Sequence, residues 1–97
     1  MFFEWDEAKR SANFEKHGVD FDDARLIFEG PVFEKADGRK DYGEDRMIAI
    51  GVLEDVEIVV VYVMRGERRR MISARRANRH ERQDYWRYLE GKAGGTD

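Results

Sequence analysis

The residue types that could do chemistry in this chain are concentrated in one basic stretch. Nine arginines lie between Arg65 and Arg87, against three acidic residues, in a sequence whose formal net charge is −3. The stretch contains no lysine. An arginine side chain is a planar, permanently charged fork that pairs bidentately with phosphate or carboxylate. The sequence therefore predicts an anionic partner: RNA, DNA or the acidic face of another protein.

Two side chains outside this stretch could move a proton. His17 carries an imidazole, which titrates near neutral pH, although a charged ring just before Gly18 could instead favour the C-terminus of a helix. Glu44 stands in a polar loop ahead of a predicted strand. Its carboxylate could act as a general base, or it could form a salt bridge with Arg46 or with the arginine-rich strand. Lys16, beside His17, could neutralise phosphate or be solvated.

The composition limits the kinds of site that the chain can build. It has no cysteine, which excludes a disulfide, a thiolate metal site and a thiol nucleophile. The acidic residues around the central loop lack the spacing of a metal-binding loop: Asp37, Asp41, Glu44 and Asp45. We therefore expect neither a metal ion nor another cofactor.

Length and hydrophobicity indicate one small domain. The chain has 97 residues, of which 41% are hydrophobic, and we place the domain at residues 1–90 with a flexible, Gly-rich tail at 91–97. The longest apolar run, from Ile58 to Met64, has seven residues and is far too short to span a membrane. We expect a cytoplasmic protein with no membrane contact.

Periodicity and capping residues predict an α+β fold with two N-terminal helices, a three- to four-stranded antiparallel β-meander and a C-terminal helix. Asp6 and Gly18 delimit the first helix, and Asp20 begins a second that ends at Gly30-Pro31. The predicted strands are 46–53, 57–65 and 69–76, with a short one at 32–34. The last helix is expected from Asn78, in a capping box with Glu81, to about Glu90, with Gly91 as its C-cap.

Alternation along the last strand divides the basic stretch between two surfaces. It predicts one face with Arg75, Met71 and Ser73, and the opposite face with Arg70, Ile72, Ala74 and Arg76.

Three separated groups of residues resemble a known family. They are Phe3-Glu4-Trp5-Asp6 with Lys9, Asn13 and Lys16-His17-Gly18-Val19; Tyr42-Gly43-Glu44 with Arg46; and Ile72-Ser73-Ala74-Arg75-Arg76-Ala77 with Glu81 and Tyr85. In this order, over roughly residues 2–86, they resemble the BrnT toxins of type II toxin–antitoxin systems. The resemblance implies a RelE-like ribonuclease fold and metal-independent RNA cleavage that inhibits translation.

The resemblance also implies a partner, a BrnA-like ribbon-helix-helix antitoxin that neutralises the toxin. Operator DNA is then bound only through the antitoxin complex, and a dimer or a heterotetramer with the antitoxin is compatible with this arrangement.

Residue types and resemblance together nominate site residues. Arg65 and Arg75 are the candidates for contact with the reacting phosphate, with Glu44 and His17 as acid–base candidates. The predicted RNA-binding residues are Lys16, Arg46, Arg76 and Arg79. The alternative for Arg65 and Arg75 is pairing with the acidic N-terminal helices. Two other functions also stay open: a non-catalytic module that docks an acidic protein or nucleic acid, and an arginine stretch that mainly binds the antitoxin.

Overall fold

A computed structural model describes residues 2–38 and 43–94, the side chains of 92–94 excepted. Within these residues the fold is α+β, with three α-helices and a five-stranded mixed sheet. The elements in chain order are β1 (Phe2–Glu4), α1 (Glu7–His17), α2 (Phe21–Ala24), a 3-10 helix (Arg25–Glu29), β2 (Phe33–Ala36), β3 (Arg46–Leu53), β4 (Val56–Arg65), β5 (Arg68–Arg76) and α3 (Arg79–Gly94). The strand order across the sheet is β1-β5-β4-β3-β2.

The first helix begins and ends where its capping residues predict. The Asp6 carboxylate accepts hydrogen bonds from the backbone N–H groups of Ala8 and Lys9, at 2.8 and 3.2 Å. Gly18 adopts a left-handed φ of 72° and donates its N–H to the Phe14 carbonyl at 2.7 Å. Asp20 caps α2, which is shorter than predicted because the chain tightens into a 3-10 helix at Arg25.

The sheet contains one strand that the sequence did not predict. Strands β2 to β5 form the expected antiparallel meander, but β1 adds to it in parallel, with Phe3 opposite Arg69 and Glu4 opposite Arg70. A three-residue strand is too short to show a period of two, so periodicity could not identify it. The sheet is therefore mixed rather than purely antiparallel.

Each face of the sheet has its own core. On the face that we call the α1–α2 face, Phe21 and Ile27 pack against Val60 and Tyr62 of β4. On the opposite face, which we call the α3 face, Val59 and other apolar side chains of β3 and β4 pack against Tyr85 of α3. Helix α3 contacts mainly β2 and β3.

A β-bulge corrects the predicted division of the basic strand. Val61 pairs with Ser73, but the next residue, Tyr62, pairs with Met71, so Ile72 is an extra residue in β5. The bulge shifts the alternation by one position. Met71 therefore packs in the α1–α2 core, not on the face of Arg75, and Ile72 packs against the α3 core.

The same bulge brings Arg70 onto the face of Arg75. Because cross-strand partners share a face, Arg70 opposite Val63 and Arg75 opposite Val59 both lie on the α3 face. Arg76, opposite Ile58, lies on the other face as predicted.

The last helix starts with the predicted capping box. The Asn78 side chain accepts the Glu81 N–H at 2.9 Å, and the Glu81 carboxylate accepts the Asn78 N–H at 2.8 Å. The helix continues past Gly91, the predicted C-cap, to Gly94. Residues 95–97 of the predicted tail lie outside the described residues.

Candidate functional site

Arg75 is held in a fixed position on the α3 face of the sheet. Its two terminal nitrogens each donate to one oxygen of Glu81, both at 2.7 Å, and the two side chains are 29% and 20% exposed. The hydrogen bonds from Arg75, more than the Asn78 backbone or the charge of Lys35, hold the pKa of Glu81 below its ordinary value. Because Glu81 belongs to the capping box, the arginine fork is tied to the start of α3.

A groove lies between α1 and the edge of β5. We call it the α1 groove; it measures about 290 Å³ and is lined by Lys9, Ala12, Asn13, Lys16, His17, Ile72 and Ser73. The charged or titratable side chains in it are Lys9, Lys16 and His17. Among the described residues, none of these three side chains forms an ion pair or a hydrogen bond. The groove is therefore cationic and uncompensated.

The α1 groove meets the face that carries Arg75. Ser73 lines the groove and lies two residues before Arg75 on the same face of β5. Their Cα atoms are about 7 Å apart at the usual rise of a strand. His17 therefore lines the same groove as Ser73, which is two residues from Arg75.

Asn13 fastens α1 to the sheet beneath this groove. It is a buried polar residue, and its amide donates to the carbonyls of Val19 and Ala74, each at 2.9 Å. Its carbonyl accepts the Ala74 N–H at 3.1 Å. The side chain thus hydrogen-bonds the backbone of β5 at Ala74, a position that β1 is too short to reach. The sequence placed Asn13 only in a motif, and no apolar periodicity around it signalled this structural role, because no other residue of α1 is buried.

Glu44 and Arg65 lie together at the opposite end of the sheet. They line a groove of about 480 Å³ with Asp45, Met47, Val63 and Met64. The Glu44 carboxylate also accepts from Arg46 Nε at 3.1 Å, which is the salt bridge that the sequence offered as its alternative role. Val59, the partner of Arg75, lies six residues before Arg65 on β4, so the two arginines are about 20 Å apart. The four predicted catalytic residues thus occupy two regions, with Glu44 and Arg65 in one and Arg75 and His17 in the other.

Two further predicted RNA-binding arginines lie apart from both groups. Arg76, on the α1–α2 face, lines a pocket of about 200 Å³ with Asp20, Asp23 and Glu54. Arg79 is the exposed first residue of α3. Lys16 lies in the α1 groove and Arg46 beside Glu44, as described above. Tyr42, of the second sequence motif, lies outside the described residues.

Several arginines of the basic stretch are paired within the domain, though not with the N-terminal helices as the alternative predicted. Arg70 bonds Glu4 of β1 at 2.7 Å. Arg69 lies 3.6 Å from Glu34 of β2 and its guanidinium stacks 4.1 Å from the ring of Phe28. Glu4 lies on the strand next to β5, whereas Glu34 lies on β2 at the other edge of the sheet.

The described residues hold no group of three or more histidines, aspartates or glutamates that could bind a metal ion. No described helix is both long and apolar enough to cross a bilayer.

Comparison with protein families gives a match over more than half of the chain. Residues 5–81 match the family model described as "Ribonuclease toxin, BrnT, of type II toxin-antitoxin system". The matched range runs from Trp5 to Glu81, so it includes the α1 groove, the Glu44–Arg65 groove and the Arg75–Glu81 pair. No curated protein matches the sequence. The family match confirms the resemblance carried by the three motifs.

Proposed function

Because the chain belongs to the BrnT family, the ribonuclease toxins of type II toxin–antitoxin systems, we propose that it is an endoribonuclease that cleaves RNA without a metal ion. In this proposal the fold is RelE-like, and cleavage inhibits translation in the cytoplasm. A BrnA-like ribbon-helix-helix antitoxin neutralises the toxin in a dimer or heterotetramer and provides the contact with operator DNA. The observation that carries the catalytic proposal is the fixed guanidinium of Arg75 beside the groove that holds His17.

The reaction that fits this arrangement is an internal transesterification. The 2′-oxygen bonds to phosphorus and the bond from phosphorus to the 5′-oxygen breaks, which leaves a 2′,3′-cyclic phosphate and a 5′-hydroxyl. A base takes the proton of the 2′-hydroxyl, an acid returns one to the 5′-oxygen, and a cation stabilises the phosphorane. We assign the cation to Arg75, because its bidentate pair with Glu81 fixes its position before RNA binds.

Proton transfer at this centre is assigned to His17. It lies in the α1 groove next to Ser73, and an imidazole can act as either base or acid near neutral pH. Glu81 is not assigned as the base, because the lowered pKa of its carboxyl makes it a weaker proton acceptor. Its role is to hold Arg75.

The Glu44–Arg65 groove is the second candidate centre. It contains a carboxylate and a guanidinium, which could act as base and phosphate ligand, but it lies about 20 Å from Arg75, so one phosphate cannot contact both. Outside the reacting phosphate, we assign Lys16, Arg46 and Arg79 to contacts with the RNA strand. Arg76 lies on the α1–α2 face, so it can contact only RNA that passes from the α3 face round the end of β5.

Cleavage of a single-stranded RNA by the purified chain in EDTA tests the proposal. Arg75→Ala should lower kcat about 100-fold or more, which is the usual cost of removing one donor to a transition-state anion. Arg65→Ala and Glu44→Gln should change kcat much less. Arg87→Ala is the control, since Arg87 on α3 is 78% exposed and lies in neither groove.

Each result separates the alternatives. If Arg65→Ala removes cleavage and Arg75→Ala does not, the reaction centre is the Glu44–Arg65 groove. Cleavage that stops in EDTA and returns with a divalent ion would contradict metal independence. If the wild-type chain binds RNA tightly and never cuts it, the chain is a binding module rather than an enzyme.

A further inference from the structure

The α1 groove differs from the other charged surfaces that the structure describes. Elsewhere on α1, Arg10 is paired with Asp20 at 2.7 Å, and most arginines of the sheet are paired with carboxylates. No acidic side chain lines the α1 groove, although the chain as a whole carries a net charge of −3. Two ammonium groups without a carboxylate partner repel one another, so the groove favours an anionic ligand.

We propose that the α1 groove is a phosphate-binding subsite, in which Lys9, Lys16 and the Ser73 hydroxyl hold the RNA strand beside the cleaved phosphate. This inference rests on the proposed function, because it takes RNA as the ligand. It adds Lys9 and Ser73 to the residues that contact RNA.

The dimensions of α1 fit an extended chain of phosphates. Lys9 and Lys16 are seven residues apart, which is two helical turns or about 10 Å along the axis. They therefore lie on one side of the helix and can contact different phosphates. Ser73 adds a neutral donor at the floor of the groove, and hydroxyl groups commonly bind phosphate oxygens together with lysine.

The lining of the groove favours a nucleic acid over a protein. Stable protein interfaces are centred on large apolar or aromatic side chains in well-packed pockets. The apolar residues that line the α1 groove are Ala12 and Ile72, and neither is aromatic. The exposed aromatic residue of α1, Phe14, is not among the lining residues.

The position of the groove also defines a path for the strand. Because Ser73 and Arg75 lie on the same face about 7 Å apart, a strand that leaves the α1 groove reaches Arg75 next. Lys9 and Lys16 therefore hold phosphates on one side of the scissile one, and their removal should weaken binding without slowing the chemical step.

The double variant Lys9→Ala/Lys16→Ala tests this subsite. Both lysines are exposed on α1, and alanine is the best helix former, so the fold should be retained and is checked by circular dichroism. Each lost phosphate contact on a single strand lowers the slope of log K against log salt by about 0.7, so the double variant should lose about 1.4. The KM for a single-stranded RNA should rise on the order of tenfold at 0.1 M salt, with kcat changed less than about twofold.

A charge-matched control distinguishes a specific subsite from a general field. Arg25→Ala/Arg87→Ala also removes two positive charges, but neither residue lines the α1 groove. This control should keep the wild-type salt slope and KM. An equal loss of slope in both double variants would mean a diffuse electrostatic effect and would overturn the subsite.

The remaining outcomes separate this inference from the proposed function. If Lys9→Ala/Lys16→Ala cleaves RNA with wild-type KM and salt slope, the subsite is wrong and the ribonuclease proposal stands. If the same variant keeps its RNA constants but is no longer neutralised by the antitoxin, the groove binds protein, which also contradicts the inference. If wild-type protein neither binds nor cleaves RNA, the proposed function itself fails.

Discussion

Replacement of Asn13 by alanine should be one of the most damaging single changes to the stability of this domain. Asn13 is 8% exposed, and its amide makes three hydrogen bonds to backbone groups of Val19 and Ala74. The partners are themselves buried, with Val19 7% and Ala74 0% exposed. Alanine would leave two carbonyls and one N–H without a partner at the junction of α1 and β5.

The expected cost follows from these three contacts. A hydrogen bond contributes about 1 kcal/mol net, and each buried partner left unpaired costs about 1–3 kcal/mol. The sum lies between about 3 and 9 kcal/mol. Because Asn13 lines the α1 groove, water can reach part of the junction, and we expect the lower end, about 3–4 kcal/mol. That is a large share of the total stability of a small domain, about 5–15 kcal/mol.

Urea unfolding followed by circular dichroism measures the cost, with Asn78→Ala as the matched control. Asn78 is exposed and makes one side-chain hydrogen bond of the capping box, at 2.9 Å, so its loss should cost about 1 kcal/mol. Both variants should keep the wild-type m-value. Amide hydrogen exchange adds a local measure, because the Ala74 amide should lose protection in Asn13→Ala and keep it in Asn78→Ala.

This role of Asn13 is contradicted if Asn13→Ala costs no more stability than Asn78→Ala, or if the Ala74 amide stays protected from exchange in Asn13→Ala. Either result would mean that the edge of β5 is closed by backbone or solvent rather than by this side chain.

Two other changes probe different parts of the structure. Gly51→Ala should destabilise the domain by about 1–3 kcal/mol in urea, because a Cβ there would lie 2.8 Å from Ile27 Cβ; Gly91→Ala, with no atom within 4 Å, should be neutral or slightly stabilising. Glu81→Gln keeps a capping-box residue but removes the charge that Arg75 binds. Because the pKa of Glu81 is lowered in the folded state, its contribution is complete above the ordinary glutamate value of about 4.3 and is lost as pH falls through the lower folded value. Thermal unfolding between pH 3 and 6 should therefore show a shallower acid loss in Glu81→Gln than in wild type or Glu15→Gln, and equal slopes would contradict the role given to the pair.

Local sequence signals predicted the elements well because their causes are local. Asp6 and Gly18 lie at the ends of the helix they delimit, and Asn78 and Glu81 are three residues apart in one capping box. Apolar alternation placed β3, and a nearly continuous apolar run placed β4, for the same reason. Such signals lie within a few residues of the structure they specify.

The features that position the candidate site could not be predicted because their partners are distant in sequence. Asn13 and Ala74 are 61 residues apart, and Glu4 and Arg70 are 66 apart. The bulge at Ile72 depends on pairing with β4, which alternation in one strand does not contain. Because the bulge was not foreseen, alternation alone predicted Arg70 and Arg75 on opposite faces of the sheet. They lie on the same face.

The basic stretch therefore carries less uncompensated positive charge than its number of arginines suggests. Uncompensated positive charge lies on α1 instead. Arg69, Arg70 and Arg75 are each paired with a carboxylate of the domain, so their charges are largely compensated before any ligand binds. Lys9 and Lys16 have no such partner among the described residues. A long-range attraction for RNA depends on uncompensated charge. It follows that the lysines of α1 should govern the salt dependence of RNA binding, while Arg75, fixed by Glu81, should govern the rate of cleavage.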